Sequence, residues 1–138
     1  MPPMMLKAKP APTTLDELKA AVCAQVRERR WRSHIEVTFV GVTFVSDDTA
    51  DTRLTAAITA RQTAQALGLE AVDATAAWEA KDGTMVPMTL NDLRGLLLAG
   101  VARTQAAFDR QAQLTAQIKA AGTVQALAAI DLDAGWPS

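Results

Sequence analysis

One cysteine, Cys23, and one histidine, His34, are all that this 138-residue chain offers of the side chains that most often carry covalent or metal chemistry. A lone cysteine excludes an internal disulfide and a zinc knuckle. Histidine-based catalysis would rest on His34 alone. Nothing near Cys23 or His34 in sequence supplies an orienting third group, and a thiol beside an apolar helix stripe reads as a small buried hydrophobe. Glycine-rich phosphate loops, HExxH, GxSxG and paired CxxC spacings are all missing, which removes the stronger enzyme motifs. The acidic run Asp47, Asp48 and Asp51 offers hard oxygen donors, but its spacing is not that of a calcium loop and helix capping explains it. Asp131 and Asp133 are no better placed. No catalytic residue, cofactor or metal ligand is therefore assigned, and the chain is expected not to be an enzyme.

Other absences concern partners. With 14 basic and 15 acidic residues the formal charge is −1, without the basic excess of a small domain that wraps nucleic acid. There is no uninterrupted apolar run of membrane-spanning length, and no charged start followed by an apolar segment and a small-residue cleavage site. A soluble protein that is not exported is expected. At 49% hydrophobic and 21% charged, the composition fits a globular chain with one buried core.

The opening stretch MPPMMLKAKPAP, residues 1–12, has four prolines, which deny amide donors to a regular ladder. It reads as a flexible arm whose Met4, Met5 and Leu6 form an apolar knot suited to a neighbouring chain. Residues 13–138 read as a single α+β domain. Thr14 and Glu17 have capping spacing for a first helix with Leu15, Leu18, Val22 and Val26 on one face. Its last turn is expected to carry Arg27, Arg29 and Arg30, where cations complement exposed carbonyls. Alternation over Ile35, Val37 and Phe39, then Val42 and Phe44 around Gly41, predicts a tight hairpin.

Asp47 and its neighbours open a second helix reaching about Leu67, with Leu54, Ala57, Ile58, Ala64 and Leu67 inward; Gly68 stops it and Leu69 supplies the accompanying apolar contact. A second hairpin is predicted from Val72, Ala74, Ala76 and Trp78, through the turn Lys81-Asp82-Gly83, to a return strand ending near Pro87, which belongs at an edge. The dominant element is a helix over about 89–121, capped by Thr89 and Asp92 and roughly 45 Å long. One heptad seam on it is Leu90, Leu93, Leu97, Gly100, Thr104, Ala107, Gln111, Leu114 and Ile118. Periodicity leaves open whether that seam packs inside the chain or between chains. Gly122 ends the helix, and Thr123 caps a short one through Ile130. The expected fold is two β-hairpins forming a small antiparallel sheet covered by helices, with a long C-terminal helix.

Leu114 and Ile118, in the intermolecular version of the seam, join Met4, Met5 and Leu6 as candidate partner-binding residues. Trp136 is another, because a tryptophan so near the end of the sequence needs a docking surface to be ordered. The run Arg27-Glu28-Arg29-Arg30-Trp31-Arg32 is the one basic patch, with an aromatic that could stack on a base. Arg27, Arg29, Arg30, Trp31 and Arg32 are thus the nucleic-acid alternative. Overall acidity and Glu28 stand against it.

Three segments, FVGVTFVSDDTADTRLTAAI (Phe39 to Ile58), WEAKDGTMVPMTLNDL (Trp78 to Leu93) and TVQALAAIDLDAGWPS, carry a likeness in their order and in the glycine-tryptophan-proline ending. With them the chain resembles, over about residues 14–138, an uncharacterised domain family of tailed bacteriophages associated with tail-fibre and baseplate proteins. Val40 departs from that pattern, standing where an asparagine-like turn residue is expected. The resemblance implies no activity and no catalytic residues. It implies a virion protein made in the bacterial host cytoplasm, a multi-copy or homo-oligomeric part of the tail, baseplate or tail-fibre attachment region that holds neighbouring subunits. A tail-fibre assembly chaperone is the alternative, and a small nucleic-acid-binding protein the third.

Overall fold

The computed structural model describes residues 14–138; the arm with Met4, Met5 and Leu6 lies outside the described residues. The fold is α+β, in the order α1 (Leu15–His34), β1 (Glu36–Phe39), β2 (Val42–Val45), α2 (Asp48–Ala66), β3 (Ala76–Glu79), β4 (Met85–Met88), α3 (Leu90–Ala120) and α4 (Val124–Ala128).

Each helix starts where a short oxygen can take an orphan amide. Thr14 Oγ1 accepts from Glu17 N at 3.1 Å, Asp47 Oδ1 from Ala50 N at 2.8 Å and Thr123 Oγ1 from Ala126 N at 3.0 Å. Thr89 and Asp92 form a complete capping box, Asp92 N donating to Thr89 Oγ1 and Thr89 N to Asp92 Oδ2. The first helix runs one turn further than its arginines suggest. Its last turn holds Arg32 and His34, so Arg27, Arg29 and Arg30 lie in the helix body, where Arg29 and Arg30 meet packed neighbours and Arg27 is exposed.

β1 and β2 pair with Val37 opposite Phe44 and Phe39 opposite Val42, the alternation expected. Their two-residue turn places Val40 at φ 50° and Gly41 at φ 76°. Positive φ at both positions is the type I′ geometry that matches strand twist, and asparagine-glycine suits it best. A β-branched side chain in the left-handed region costs on the order of 1–2 kcal/mol. β3 and β4 pair with Trp78 opposite Val86 and Pro87 opposite Ala77. The hairpins form two separate two-stranded sheets, not the one small sheet expected. Lys81 N donates to Thr43 O at 2.9 Å and Lys81 Nζ pairs with Glu36, joining the ribbons at one point. Ribbons of four-residue strands twist strongly, so contact at one point does not extend into a shared ladder.

The chain closes around α3 in two places. At its start, Leu90, Leu93 and Leu96 bury Val37, Phe44, Leu54, Ile58, Ala80 and Met88 from the hairpins and α2. At its end, Leu114 and Ile118 pack on Val26 of α1, Ala121 and Leu127, with Leu15, Leu18, Val22, Ile130, Leu132 and Trp136 around them. The seam read from the sequence is thus internal. Leu114 and Ile118, candidates for partner docking, have 0% exposure and are spent on the chain's own core. Between the two clusters the helix carries a buried glycine, Gly100. A Cβ on Gly100 would lie 2.9 Å from Ser46 Oγ, so only glycine lets the β2–α2 junction approach here.

Candidate functional site

The C-terminal half of α1 gathers most of the residues that the sequence marked. Arg30 lies 4.3 Å over the Phe108 ring, and His34 stacks on the same ring at 6.2 Å while meeting the edge of Trp31 at 5.6 Å. Arg29 lies 5.5 Å over Trp136 and 3.8 Å from an Asp133 carboxylate oxygen. The basic run is therefore divided. Arg29 and Arg30 turn to the chain's own aromatic rings, while Arg27, Trp31 and Arg32 stay exposed. Such cation–π pairs hold elements together and leave two fewer guanidinium groups for phosphate.

Trp136 finds its docking surface within the chain. Its Nε1 donates to Leu132 O at 2.7 Å, and the ring completes the cluster around Leu114 and Ile118. Arg103 fixes the same tail, donating to Ser33 O at 2.8 Å, to Pro137 O at 3.2 Å and to Ser138 O. Arg110 Nε donates to Ala134 O at 2.7 Å. These two arginines on α3 stitch the tail to α1 and α3, a role that no local motif announces.

At the junction of α1, β2 and α2 sit His34, Ser46 and Asp51, residue types that could suggest a catalytic relay. Their geometry is structural. Ser46 and His34 are buried, and Ser46 Oγ donates to Asp51 Oδ1 at a long 3.4 Å. His34 Nε2 is buried with no hydrogen-bond partner. Burial first, then the charge of Arg30, lowers the His34 pKa below its ordinary value, which keeps the imidazole neutral. Burial likewise raises the Asp51 carboxyl, partly offset by the Ser46 hydroxyl. Cys23 is a free, half-buried thiol about 16 Å along α1 from His34, too far for a thiol–imidazole pair. Asp47 caps α2 and is one of the three acidic residues considered for metal; among the described residues no group of three His, Cys, Asp or Glu is placed to hold an ion.

Arg61 was not marked by the sequence, because a lone arginine within an alanine-rich helix looks like a solvated charge. It is buried, and its guanidinium spreads over three targets: Glu70 Oε1 at 2.9 Å, Met88 O at 2.8 Å and Ala74 O at 2.6 Å. The one available signal was its position seven residues after Leu54 and three after Ile58, on the inward face. Arg61 also explains why the alternation beginning at Val72 does not make a strand: side chains take the carbonyls of this segment, Ala74 O by Arg61 and Ala71 O by Gln65 at 3.4 Å. The α2–β3 connection that results is ordered and apolar on the outside. Schellman bonds at Gly68 close α2, from Leu69 N to Ala64 O at 2.8 Å and Gly68 N to Gln65 O at 3.1 Å. The expected apolar contact of Leu69 is not made: Leu67, Leu69 and Val72 are 68, 79 and 74% exposed.

A groove of about 570 Å³ opens between the two hairpins, lined by Val42, Thr43, Ala80, Lys81, Asp82 and Val86. Lys81 is occupied by Glu36, and the remaining lining holds no pair of groups suited to acid–base work. Among the described residues, no helix is long and apolar enough to cross a membrane. A family model described as a domain of unknown function (DUF4376) matches residues 17–134. No curated protein and no solved structure matches the chain.

Proposed function

We propose that this chain, which belongs to the DUF4376 family, a domain of unknown function, is a structural protein of a bacteriophage virion. It would hold neighbouring subunits of the tail, baseplate or tail-fibre attachment region without catalysis, after synthesis in the bacterial host cytoplasm. The context comes from the resemblance carried by Phe39 to Ile58, Trp78 to Leu93 and the Trp136-Pro137 ending. The observation that carries the binding role is the α2–β3 connection. Three exposed apolar side chains in six residues, Leu67, Leu69 and Val72, sit on a connection that Arg61 already holds at the Glu70 carboxylate and at Ala74 O. Ordering such a loop in advance lowers the entropy cost of docking a partner on it. The arginines that could serve nucleic acid are in part committed to Phe108 and Trp136, which favours protein partners.

Quantitative mass spectrometry of gradient-purified particles from a phage encoding this chain tests the reading. A fixed whole-number ratio to the major tail proteins is expected, and Leu69→Asp should lower that ratio while leaving the free protein folded. Abundance in the lysate with absence from particles would overturn the structural role in favour of a tail-fibre assembly chaperone.

A further inference from the structure

α3 carries two apolar stripes, and only one of them is covered. The covered stripe is the seam from Leu90 to Ile118. The second runs through Leu98, Val101, Gln105, Phe108 and Ala112, in alternating steps of three and four residues, the spacing that a second helix reads. Leu98, Val101 and Phe108 are 69, 58 and 45% exposed, and half-exposed Trp31 of α1 lies at the Phe108 end through His34. Solvated helices normally place charged and polar residues on such a face.

We propose that this stripe pairs antiparallel with the same stripe of a second copy of the chain. Charge complementarity selects that occupant and that direction. Arg94 stands at one end of the stripe and Asp109 flanks its other half, and neither is in an ion pair among the described residues. Their contacts are local and exposed: Arg94 Nη1 donates to Asn91 Oδ1 at 3.1 Å, and Asp109 Oδ1 accepts from Gln105 Nε2 at 2.9 Å. A parallel pair would set Arg94 near Arg94 and Asp109 near Asp109. An antiparallel pair centred near residue 103 sets Leu98 opposite Phe108 of the second copy and Val101 opposite Gln105. It also brings each Arg94 within one turn of an Asp109. Of the other nearby cations, Arg103 and Arg110 are turned to the tail, and Arg30 lies over the Phe108 ring of its own chain. The pairing belongs to the free chain, so it stands or falls apart from the virion assignment.

Sedimentation equilibrium of the full chain over a range of concentrations tests it. A reversible dimer is expected, and Leu98→Asp or Phe108→Asp should weaken it about a hundredfold or more. Circular dichroism and the urea midpoint of the Leu98→Asp monomer should match the parent at dilutions where the parent too is monomeric, because that side chain lies outside both cores. Arg94→Asp and Asp109→Arg should each weaken pairing about tenfold, and the double exchange should restore it. A chain that stays monomeric to about 0.5 mM overturns the proposal. So does a dimer indifferent to Leu98→Asp, or one that the double charge exchange fails to restore. Dimerisation only after removal of residues 1–13 would also overturn it, by assigning the face to that segment.

Discussion

The two ends of α3 are packed by different means. At the start of the helix, two small hairpins and α2 each contribute a few side chains, and the cluster joins segments from Val37 to Leu96. At the far end, one helix face meets another, and α4 and the tail close the gap. The ends also differ in what they leave over. Val40, Val45, Leu67, Leu69, Val72 and Met85 are exposed on the hairpin and α2 side, whereas the helical side leaves Val124 and, toward the middle of α3, Trp31 and Phe108. An end built from turns and short strands has more backbone to route, so some apolar side chains fall outside the core. Helix-on-helix packing spends its apolar stripe almost completely. The helical end therefore reads as the self-contained part, and the other end and the middle of α3 as the parts with surface to offer.

The strongest way to break this comparison is to charge the helical core. Ile118→Asp should unfold the protein, with a loss of about 4 kcal/mol or more, because the new carboxylate has no partner in an apolar site. Urea unfolding read by circular dichroism checks it. The same experiment on variants retaining only Trp78 or only Trp136 asks whether the ends melt together. Coincident curves are expected, since α3 is continuous through both clusters.

Arg61→Met acts on the opposite end and should cost about 3 kcal/mol, leaving Met88 O, Ala74 O and Glu70 without their donor. Arg61→Lys should recover little of this, because one ammonium cannot span three acceptors. If the connection after α2 is held by Arg61, amide exchange around residues 70–75 should quicken more than in α1. Equal change at both ends would dissolve the contrast.

Val40→Asn is a smaller effect of opposite sign. Asparagine tolerates the left-handed conformation that valine adopts at φ 50°, so the variant should gain about 1 kcal/mol, read as a higher urea midpoint.

The finest test is a slope. His34 has a folded pKa below its ordinary 6.5, so between those two values the unfolded chain binds more protons and stability falls as pH drops. Asp51 has a folded pKa above its ordinary 3.8, so at lower pH, between its two values, acidification adds stability instead. His34→Gln should flatten the fall below about pH 6.5; the Asp51 carboxyl, still raised by burial, loses the lowering influence of the imidazole charge. Urea midpoints measured across that range would show it, and an unchanged slope would remove His34 from the joint between the two clusters.

Much of the architecture was legible because it rests on local rules. Thr14, Asp47, Thr89 and Thr123 announce helix starts through one side-chain oxygen each, and the Leu90 to Ile118 seam is visible as period alone. Whether that seam faced inward was not legible, because periodicity describes a face and not its occupant; the answer depended on where α1 lies. Val72 to Thr75 misled for the complementary reason. Their alternation suggests a strand, but a residue on α2 takes Ala74 O, which no local pattern encodes. The basic run before Trp31 read as one patch because sequence lists neighbours in order, while a helix distributes them around its circumference. As for the candidate surfaces, Trp136 was legible as needing a dock, and Leu67, Leu69 and Val72 were not legible as exposed, since leucine and valine after a helix stop usually turn inward.

Arg61, Arg103 and Arg110 share a habit: each donates to main-chain carbonyls, at Met88 and Ala74, at Ser33 and Pro137, and at Ala134. A carbonyl is the same on every residue, so these clamps sense the path of the chain and are indifferent to its lettering. Natural variants should consequently drift freely at Ala74, Ala134 or Ser138, yet tolerate almost no insertion or deletion between each arginine and the carbonyls it grips. At the gripped carbonyls, length is the inherited quantity and side-chain identity the expendable one.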